Sequence, residues 1–283
     1  MKRPYQLIAL DIDGTLLSDE YKISKRTIDV IQEAHAEGTM IVLCTGRGPA
    51  NTLPIMSMLD VDGYMITHNG AVHLNSKGEI VLQNTFLLDE VRALIDDCRG
   101  ENVHFDVNTA FDLYIERVTP LADEMYVDFN VDPIMVEDVS KLTQPMVKLC
   151  VFGETEEVDH MESRWKSLDW SQFGHIHMIR SGEEFIDVMD INASKGSALL
   201  QFAAKYGIGP EGIMAIGNYY NDIDMLEVAG FSVAVDNSPD RVKAAADVVT
   251  ASNNNEGVYH AIQKYHFQRA SEEHQTSETI ITN

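Results

Sequence analysis

Leu7-Ile8-Ala9-Leu10 runs directly into Asp11-Ile12-Asp13-Gly14-Thr15. Four apolar residues followed by two carboxylates one residue apart predict a buried strand that ends in a polar turn. The pattern recurs at Met40 to Cys44 before Thr45-Gly46-Arg47-Gly48, at Tyr64 to Thr67 before His68-Asn69-Gly70-Ala71, and at Ile213 to Ile216 before Gly217-Asn218-Tyr219-Tyr220-Asn221-Asp222. Helical spacing separates these runs. A helix capped by Ser24 carries Ile28, Ile31 and Ala34 until Gly38, another covers about Ala50 to Leu59, and a third runs from Lys195 to Tyr206, closed by Gly207. Phe231 to Val235 and Val248-Val249 read as further strands, with helices near Asp240 to Ala246 and Gly257 to Tyr265. Strands alternating with helices imply a parallel sheet with right-handed crossovers.

The rhythm changes after Gly70. Val72 to Leu74 and Ile80 to Leu82 flank Asn75-Ser76-Lys77-Gly78 as a hairpin, which belongs to an antiparallel sheet. From about Thr85 to Met189 two helical stretches, Asp89 to Arg99 and Glu154 to Trp165, lie among short strands at Val103 to Val107, Leu113 to Glu116, Val147 to Phe152 and Ile176 to Ile179. The expected fold is therefore α/β, a Rossmann-like parallel-sheet core of residues 1–84 and 190–267 with an inserted α+β unit of residues 85–189. Residues 268–283, polar and without aromatic side chains, are expected to form a disordered tail.

With 283 residues and 45% hydrophobic content, the chain can bury a large core in two domains. Met1-Lys2-Arg3-Pro4 precedes an apolar run too short for a secretory h-region, and no segment reaches membrane-spanning length, so a cytoplasmic protein without membrane partners is expected. Cys44, Cys98 and Cys150 are odd in number and far apart, and read as small buried hydrophobes. A formal net charge of -24 argues against nucleic-acid partners, whose binding needs lysine and arginine. It also repels any anionic substrate at long range, so local cations or a bound metal would have to reverse the field.

Taken singly, each polar strand end has a bland reading. Asp13-Gly14 can be a turn, Thr45 a strand terminus, Lys195 a solvated first-turn residue, and Asn221 or Asp222 a helix cap. An EF-hand is excluded, because counting from Asp11 its glycine and glutamate positions hold Leu16 and Lys22. A parallel sheet, however, delivers such strand ends to a single edge, where open α/β sheets bind ligands. Lys195, opening a helix after Asn192-Ala193-Ser194, adds a cation at a helix terminus that favours anions.

Together, Asp11-Ile12-Asp13-Gly14-Thr15, Thr45-Gly46-Arg47, Ser194-Lys195-Gly196 and Gly217-Asn218-Tyr219-Tyr220-Asn221-Asp222 resemble the four ordered motifs of the haloacid dehalogenase-like superfamily, specifically its Cof-type phosphatases with a C2B cap. The resemblance covers nearly the whole chain. It implies that Asp11 attacks phosphorus to form an aspartyl-phosphate, and that Asp13 protonates the leaving oxygen and then activates water. It further implies that Mg2+ is held by Asp11, the Asp13 carbonyl and Asn218. The Ile12 and Gly46 amides, Thr45, Lys195 and Asn221 would hold the phosphoryl oxygens, with Asp222 orienting Lys195 or a metal-bound water. The implied substrate is a small phosphorylated metabolite, such as a sugar phosphate or a flavin, pyridoxal or riboflavin-pathway phosphate, handled by a monomer or homodimer.

Two departures from the family pattern stand out. Asn218 occupies a position where the family usually has aspartate, which predicts weaker metal affinity or a compensating role for Asp222. Asp187 occupies one where relatives often carry glutamate, which alters how core and cap meet. Rival readings are a sugar-phosphate phosphomutase and a catalytically weakened binding or regulatory homologue. Lesser candidates are His175 and His177 as a histidine pair on one strand face, Arg47 as a phosphate guide or the partner of a surface acid, and Met56, Met58 and Leu59 as core or lid packing.

Overall fold

The computed structural model describes residues 5–128 and 131–267. The tail expected at 268–283 and the segment Met1-Lys2-Arg3-Pro4 lie outside the described residues. Fourteen strands are described, β1 (Leu7–Leu10), β2 (Met40–Cys44), β3 (Tyr64–Thr67), β4 (Val72–Asn75), β5 (Ile80–Gln83), β6 (His104–Asn108), β7 (Leu113–Ile115), β8 (Ile134–Met135), β9 (Lys148–Phe152), β10 (Ile176–Gly182), β11 (Phe185–Asp190), β12 (Ile213–Gly217), β13 (Phe231–Ala234) and β14 (Val248–Val249). The α-helices are α1 (Lys25–Ala36), α2 (Pro49–Leu59), α3 (Arg92–Arg99), α4 (Pro120–Asp128), α5 (Thr155–Lys166), α6 (Lys195–Lys205), α7 (Ile223–Val228), α8 (Asp240–Ala245) and α9 (Gly257–Ala261).

The first sheet has the order β14-β13-β12-β1-β2-β3-β4-β5. Its strands pair in parallel from β14 to β3, and the hairpin β4–β5 continues it antiparallel. Successive side chains of β1 serve opposite faces. Ile8 and Leu10 join the core on the side of α1, α2 and α9, whereas Leu7 and Ala9 pack with Leu199 and Phe202 of α6 and Met225 of α7. A strand buried on both faces must be apolar throughout, which accounts for the run that opens the chain. The chain fills β1, β2 and β3 in one direction and then crosses to β12 on the other flank of β1, so the sheet's switch point lies beside the end of β1.

The second sheet is mixed, in the order β10-β11-β9-β6-β7-β8, and packs its own core of Leu94, Leu149, Val151, Trp165 and Val188. This α/β core with an inserted second sheet matches the expected architecture. The insert holds a third helix that the sequence reading missed, α4. Its signal was Thr119-Pro120, proline at the first helical position, where the missing N–H costs nothing, and threonine accepting the Ala122 amide at 3.2 Å. The stretch read as helix from Asp89 begins as a 3-10 turn, Leu88–Val91, before α3.

Two other readings need correction. His175 precedes β10 and contacts Glu90 and Asp190, so it shares no strand face with His177. Met56 and Leu59 are buried, but Met58 is 59% exposed and packs neither core nor lid. Arg47 pairs with Asp13, an exposed acid of the same strand-end cluster, as the reading of it as the partner of a surface acid has it. All three cysteines are buried and unbridged. Among the described residues no helix is long and apolar enough to cross a membrane.

His73 on β4 is 1% exposed, and burial holds its pKa down at about 4. Its unfolded value is about 6.5, so the unfolded chain binds the extra proton and stability falls as pH drops through this window. In His73→Leu, the loss of unfolding free energy between pH 7.5 and pH 5 is expected to be smaller by up to about 2 kcal/mol, at about 1.36 kcal/mol per pH unit, as read by urea titrations at both pH values.

Candidate active site

The ends of β1, β2, β3 and β12 meet on one edge, and their polar termini line a common cavity of about 700 Å³ beneath the second sheet. Asp11 follows β1 and is 5% exposed. Gly14 then takes φ +72°, and a Cβ there would lie 2.4 Å from Nδ2 of Asn218, so only glycine allows the turn to fold against the β12 loop. Asn237 donates to the Gly14 carbonyl at 2.8 Å and Asn253 to that of Leu17 at 3.1 Å, buttressing the turn from the far end of the chain.

Lys195 enters from the start of α6, whose Ser194 cap accepts the Ser197 amide at 3.2 Å. Gly196 lets α6 approach α7, since a Cβ there would sit 2.5 Å from the Asp224 carbonyl. Lys195 Nζ donates to Asp11 Oδ1 at 2.8 Å and to Asp222 Oδ1 at 2.6 Å. Burial works to lower its pKa, but the two carboxylates outweigh burial and hold it above the ordinary lysine value. Burial, reinforced by Asp222 and opposed by Lys195, pushes the Asp11 carboxyl up to about 7.

Asp222 is engaged through both oxygens. Its Oδ2 accepts the backbone amides of Asn218 at 2.8 Å and Tyr219 at 2.9 Å, while Oδ1 takes Lys195. It therefore fixes the β12 loop and the lysine together. Asn218 Oδ1 accepts from Thr15 Oγ1 at 3.1 Å.

Asp11 Oδ2 is buried and has no hydrogen-bond partner among the described residues. Asp11, Asp13 and Asn218 line the same cavity, and an orphaned carboxylate oxygen, a backbone carbonyl and an amide oxygen make an all-oxygen donor set of the kind that suits a hard divalent cation, whose charge would also lower the raised Asp11 pKa. No group of three His, Cys, Asp or Glu side chains among the described residues is placed to hold a metal. A set built from one carboxylate, a carbonyl and an amide has no such group.

Arg47 grips Asp13 with Nε to Oδ2 at 2.7 Å and Nη2 to Oδ1 at 2.5 Å, and its own backbone amide donates to Thr45 Oγ1 at 3.1 Å. Asn221 and Gly46 line the same cavity, joined by a residue the sequence reading passed over. Asn69 accepts from Asn221 Nδ2 at 3.0 Å and donates to Asp187 Oδ2 at 2.7 Å, and a Cβ on Gly46 would touch its amide at 3.1 Å. Asp187 also pairs with Lys148 at 3.4 Å. The chain Lys148–Asp187–Asn69–Asn221 thus ties the second sheet to the strand ends of the first. Its acceptor-only carboxylate requires Asn69 to present its amide nitrogen, which leaves the Asn69 oxygen to receive Asn221. His68, Asn69 and Gly70 all adopt positive φ, a strained run held by this packing. The available signal was that Asn69, like Thr45 and Asn218, follows an apolar strand.

A buried carboxylate with one oxygen fixed by an ammonium and the other unpaired thus lies in a cavity at the switch point of a Rossmann-like sheet, where open α/β enzymes bind their ligands. The chain belongs to the haloacid dehalogenase-like hydrolase family, whose profile matches residues 8–262. Among its relatives is the 5-amino-6-(5-phospho-D-ribitylamino)uracil phosphatase YitU of Bacillus subtilis, 29% identical, the match covering 93% of this chain and 98% of the relative. A haloacid dehalogenase-like hydrolase from Bacteroides thetaiotaomicron superposes with a TM-score of 0.80 at 26% identity, covering 92% of this chain and 99% of the other. The subclass IIB sugar phosphatase BT4131 superposes at 0.79 with 27% identity, over 92% and 98% respectively. The protein is a Cof-type phosphatase, a phosphoric monoester hydrolase with a cap domain.

Proposed function

We propose that this enzyme hydrolyses a small phosphorylated metabolite through a covalent phosphoryl group on Asp11. The observation that carries the reading is the division of labour on that carboxylate, with Oδ1 fixed by Lys195 and Oδ2 buried and unpaired. Asp11 attacks phosphorus and the bond to the leaving oxygen breaks, that oxygen receiving its proton from Asp13. Asp13, now a carboxylate, takes a proton from water attacking the same phosphorus, and the bond to Asp11 breaks to release phosphate. Thr45, Lys195, Asn221 and the Ile12 and Gly46 amides receive the phosphoryl oxygens, whose charge is the main demand on the site. Arg47 holds Asp13 at the cavity mouth until an incoming phosphate competes for the guanidinium.

Mg2+ would be held by Asp11, the Asp13 carbonyl and Asn218, and when bound supplies Lewis-acid stabilisation of phosphoryl charge. We place the core at residues 1–84 and 190–267 and the cap at 85–189, in a cytoplasmic monomer or homodimer, with cap closure excluding water. Sugar phosphates and riboflavin-pathway phosphates are the substrate classes suggested by the relatives.

The test is phosphate release from a panel of metabolite monoesters with and without Mg2+. Metal-dependent release without an isomeric ester supports hydrolysis, and an isomeric ester identifies a mutase instead. Asn218→Asp is expected to lower the Mg2+ concentration for half-maximal activity about tenfold, since ligand charge sets affinity for hard cations. An unchanged requirement would show that the missing charge is not limiting.

A further inference from the structure

The turn after β3 touches three segments that hold the phosphoryl site, yet the reaction steps assign it nothing. The Asn69 backbone N–H donates to the Thr45 carbonyl at 2.9 Å and the His68 N–H to that of Arg47 at 2.9 Å, which laces the turn to the end of β2. A Cβ on Gly70 would lie 2.5 Å from the Ser194 carbonyl, so the turn abuts the segment that delivers Lys195. The Asn69 side chain reaches Asn221. The same turn also meets the cap, where His68 Nε2 donates to the Ala110 carbonyl at 3.3 Å and Asn69 donates to Asp187 on β11. His68 and Asn69 sit at φ +49° and +52°, a strained backbone that contacts on both sides have to hold.

Two side-chain amides in this chain have an orientation to choose, because rotating an amide exchanges its donor and acceptor ends. A phosphoryl oxygen needs a donor. Asn221 lines the cavity, and its Nδ2 gives one hydrogen to Asn69 Oδ1 at 3.0 Å, which leaves the second for a phosphoryl oxygen. Asn69 offers that oxygen because its own nitrogen is claimed by Asp187 Oδ2 at 2.7 Å, and a carboxylate only accepts. Asn69 and Asp187 are both 2% exposed, so bulk water does not compete for either group.

Resting on the phosphatase reading, we propose that Asn69 is a positioning residue through which Asp187 of the cap fixes the orientation of the Asn221 amide. With the cap docked, one carboxylate sets both amides in turn. With Asp187 withdrawn, each amide is free to rotate and the Asn221 donor is no longer held for the phosphoryl group. The site is then complete only while the cap shields it from water.

The experiment measures kcat/KM for p-nitrophenyl phosphate with Mg2+ in the intact protein, an ester whose leaving group has no hydroxyl to engage Asp187 directly. The variants are Asn69→Gly, Asn221→Ala and the two combined. Glycine removes the side chain and adopts φ +52° without penalty. Asn69→Gly is expected to lower kcat/KM about tenfold alone and by less than about twofold when Asn221 is already alanine, since a residue that acts through another loses its effect once that other is gone. Asp187→Leu is expected to reproduce the loss, whereas Asp187→Asn, which keeps an oxygen for the Asn69 nitrogen, is expected to retain at least about a third of the activity. Burial works against the Lys148 charge and both Asp187 and Asp106 sustain it, so either variant leaves the ammonium one carboxylate. Equal losses from Asn69→Gly in both backgrounds, as a merely structural residue would give, overturn the proposal and leave the phosphatase reading intact, and so does full activity of Asn69→Gly or Asp187→Leu. Should Asn69→Gly fail to fold, Asp187→Leu combined with Asn221→Ala gives the same test with the same outcomes. No p-nitrophenol from the unmodified enzyme overturns the phosphatase reading and this inference together.

Discussion

Asp11→Asn is expected to reduce kcat for phosphate release by at least about 10⁴-fold, because the account gives Asp11 the bond-forming role and no neighbouring group is placed to replace it. The substitution is nearly isosteric. The amide that replaces the carboxylate keeps an oxygen for Lys195, which also retains Asp222 at 2.6 Å, so the fold is expected to survive and circular dichroism to be unchanged. Steady-state assays on the purified variant check this. Residual activity above about one per cent, with contamination excluded by an independent preparation, would assign the attack to another group or to water directly.

Lys195→Met is expected to lower the unfolding free energy by roughly 3–5 kcal/mol in the absence of metal, the usual cost of removing one partner from a buried ionic group. The lysine side chain is 1% exposed, and the side chains of its partners Asp11 and Asp222 are 7% and 0% exposed. Methionine fills much of the lysine volume, so the effect reports charge and not a cavity. What remains is two carboxylates that the ammonium had held together. Asp222→Asn in the same background removes one of these charges, and the double variant is expected to regain part of the loss in urea titrations. A change below about 1 kcal/mol in the single variant would mean that the triad does not carry the buried charge balance assigned to it.

How much of this was legible in the sequence follows from the range of the interactions. β1, β2, β3 and β12 were readable because each is an apolar run cut off by a polar group, and a strand covered on both faces cannot look otherwise. Ser24 marked the start of α1 because its hydroxyl meets the Thr27 amide three residues on. That Asp11 and Lys195 touch, 184 positions apart, followed only from the rule that parallel strand ends share an edge.

The cap was harder to read. The packed side of α4 is Leu121, Ala122, Met125 and Tyr126, a short stripe at helical spacing that the sequence reading passed over. Asp106 and Lys148 sit in short strands whose meaning depends on register, and neither strand's own sequence states which residue it will face. Asn69 was visible as a polar strand end, yet its bonds to Asp187 and Asn221 join segments that only the tertiary fold brings together. Arg47 was read as free to choose among many acids because net charge carries no information about which acid lies beside it.

The most direct test of the central claim is to capture the phosphorylated enzyme. Asp13→Asn cannot activate the water of the second step, while an ester with a good leaving group, p-nitrophenyl phosphate, needs little help with the first. Mixed with that ester and Mg2+, the variant is expected to gain the mass of one phosphoryl group with release of one equivalent of p-nitrophenol, and borohydride reduction followed by peptide mass mapping is expected to place the group on Asp11. A phosphoryl group on any other residue, or steady phosphate release with no covalent species at any time, would contradict the account.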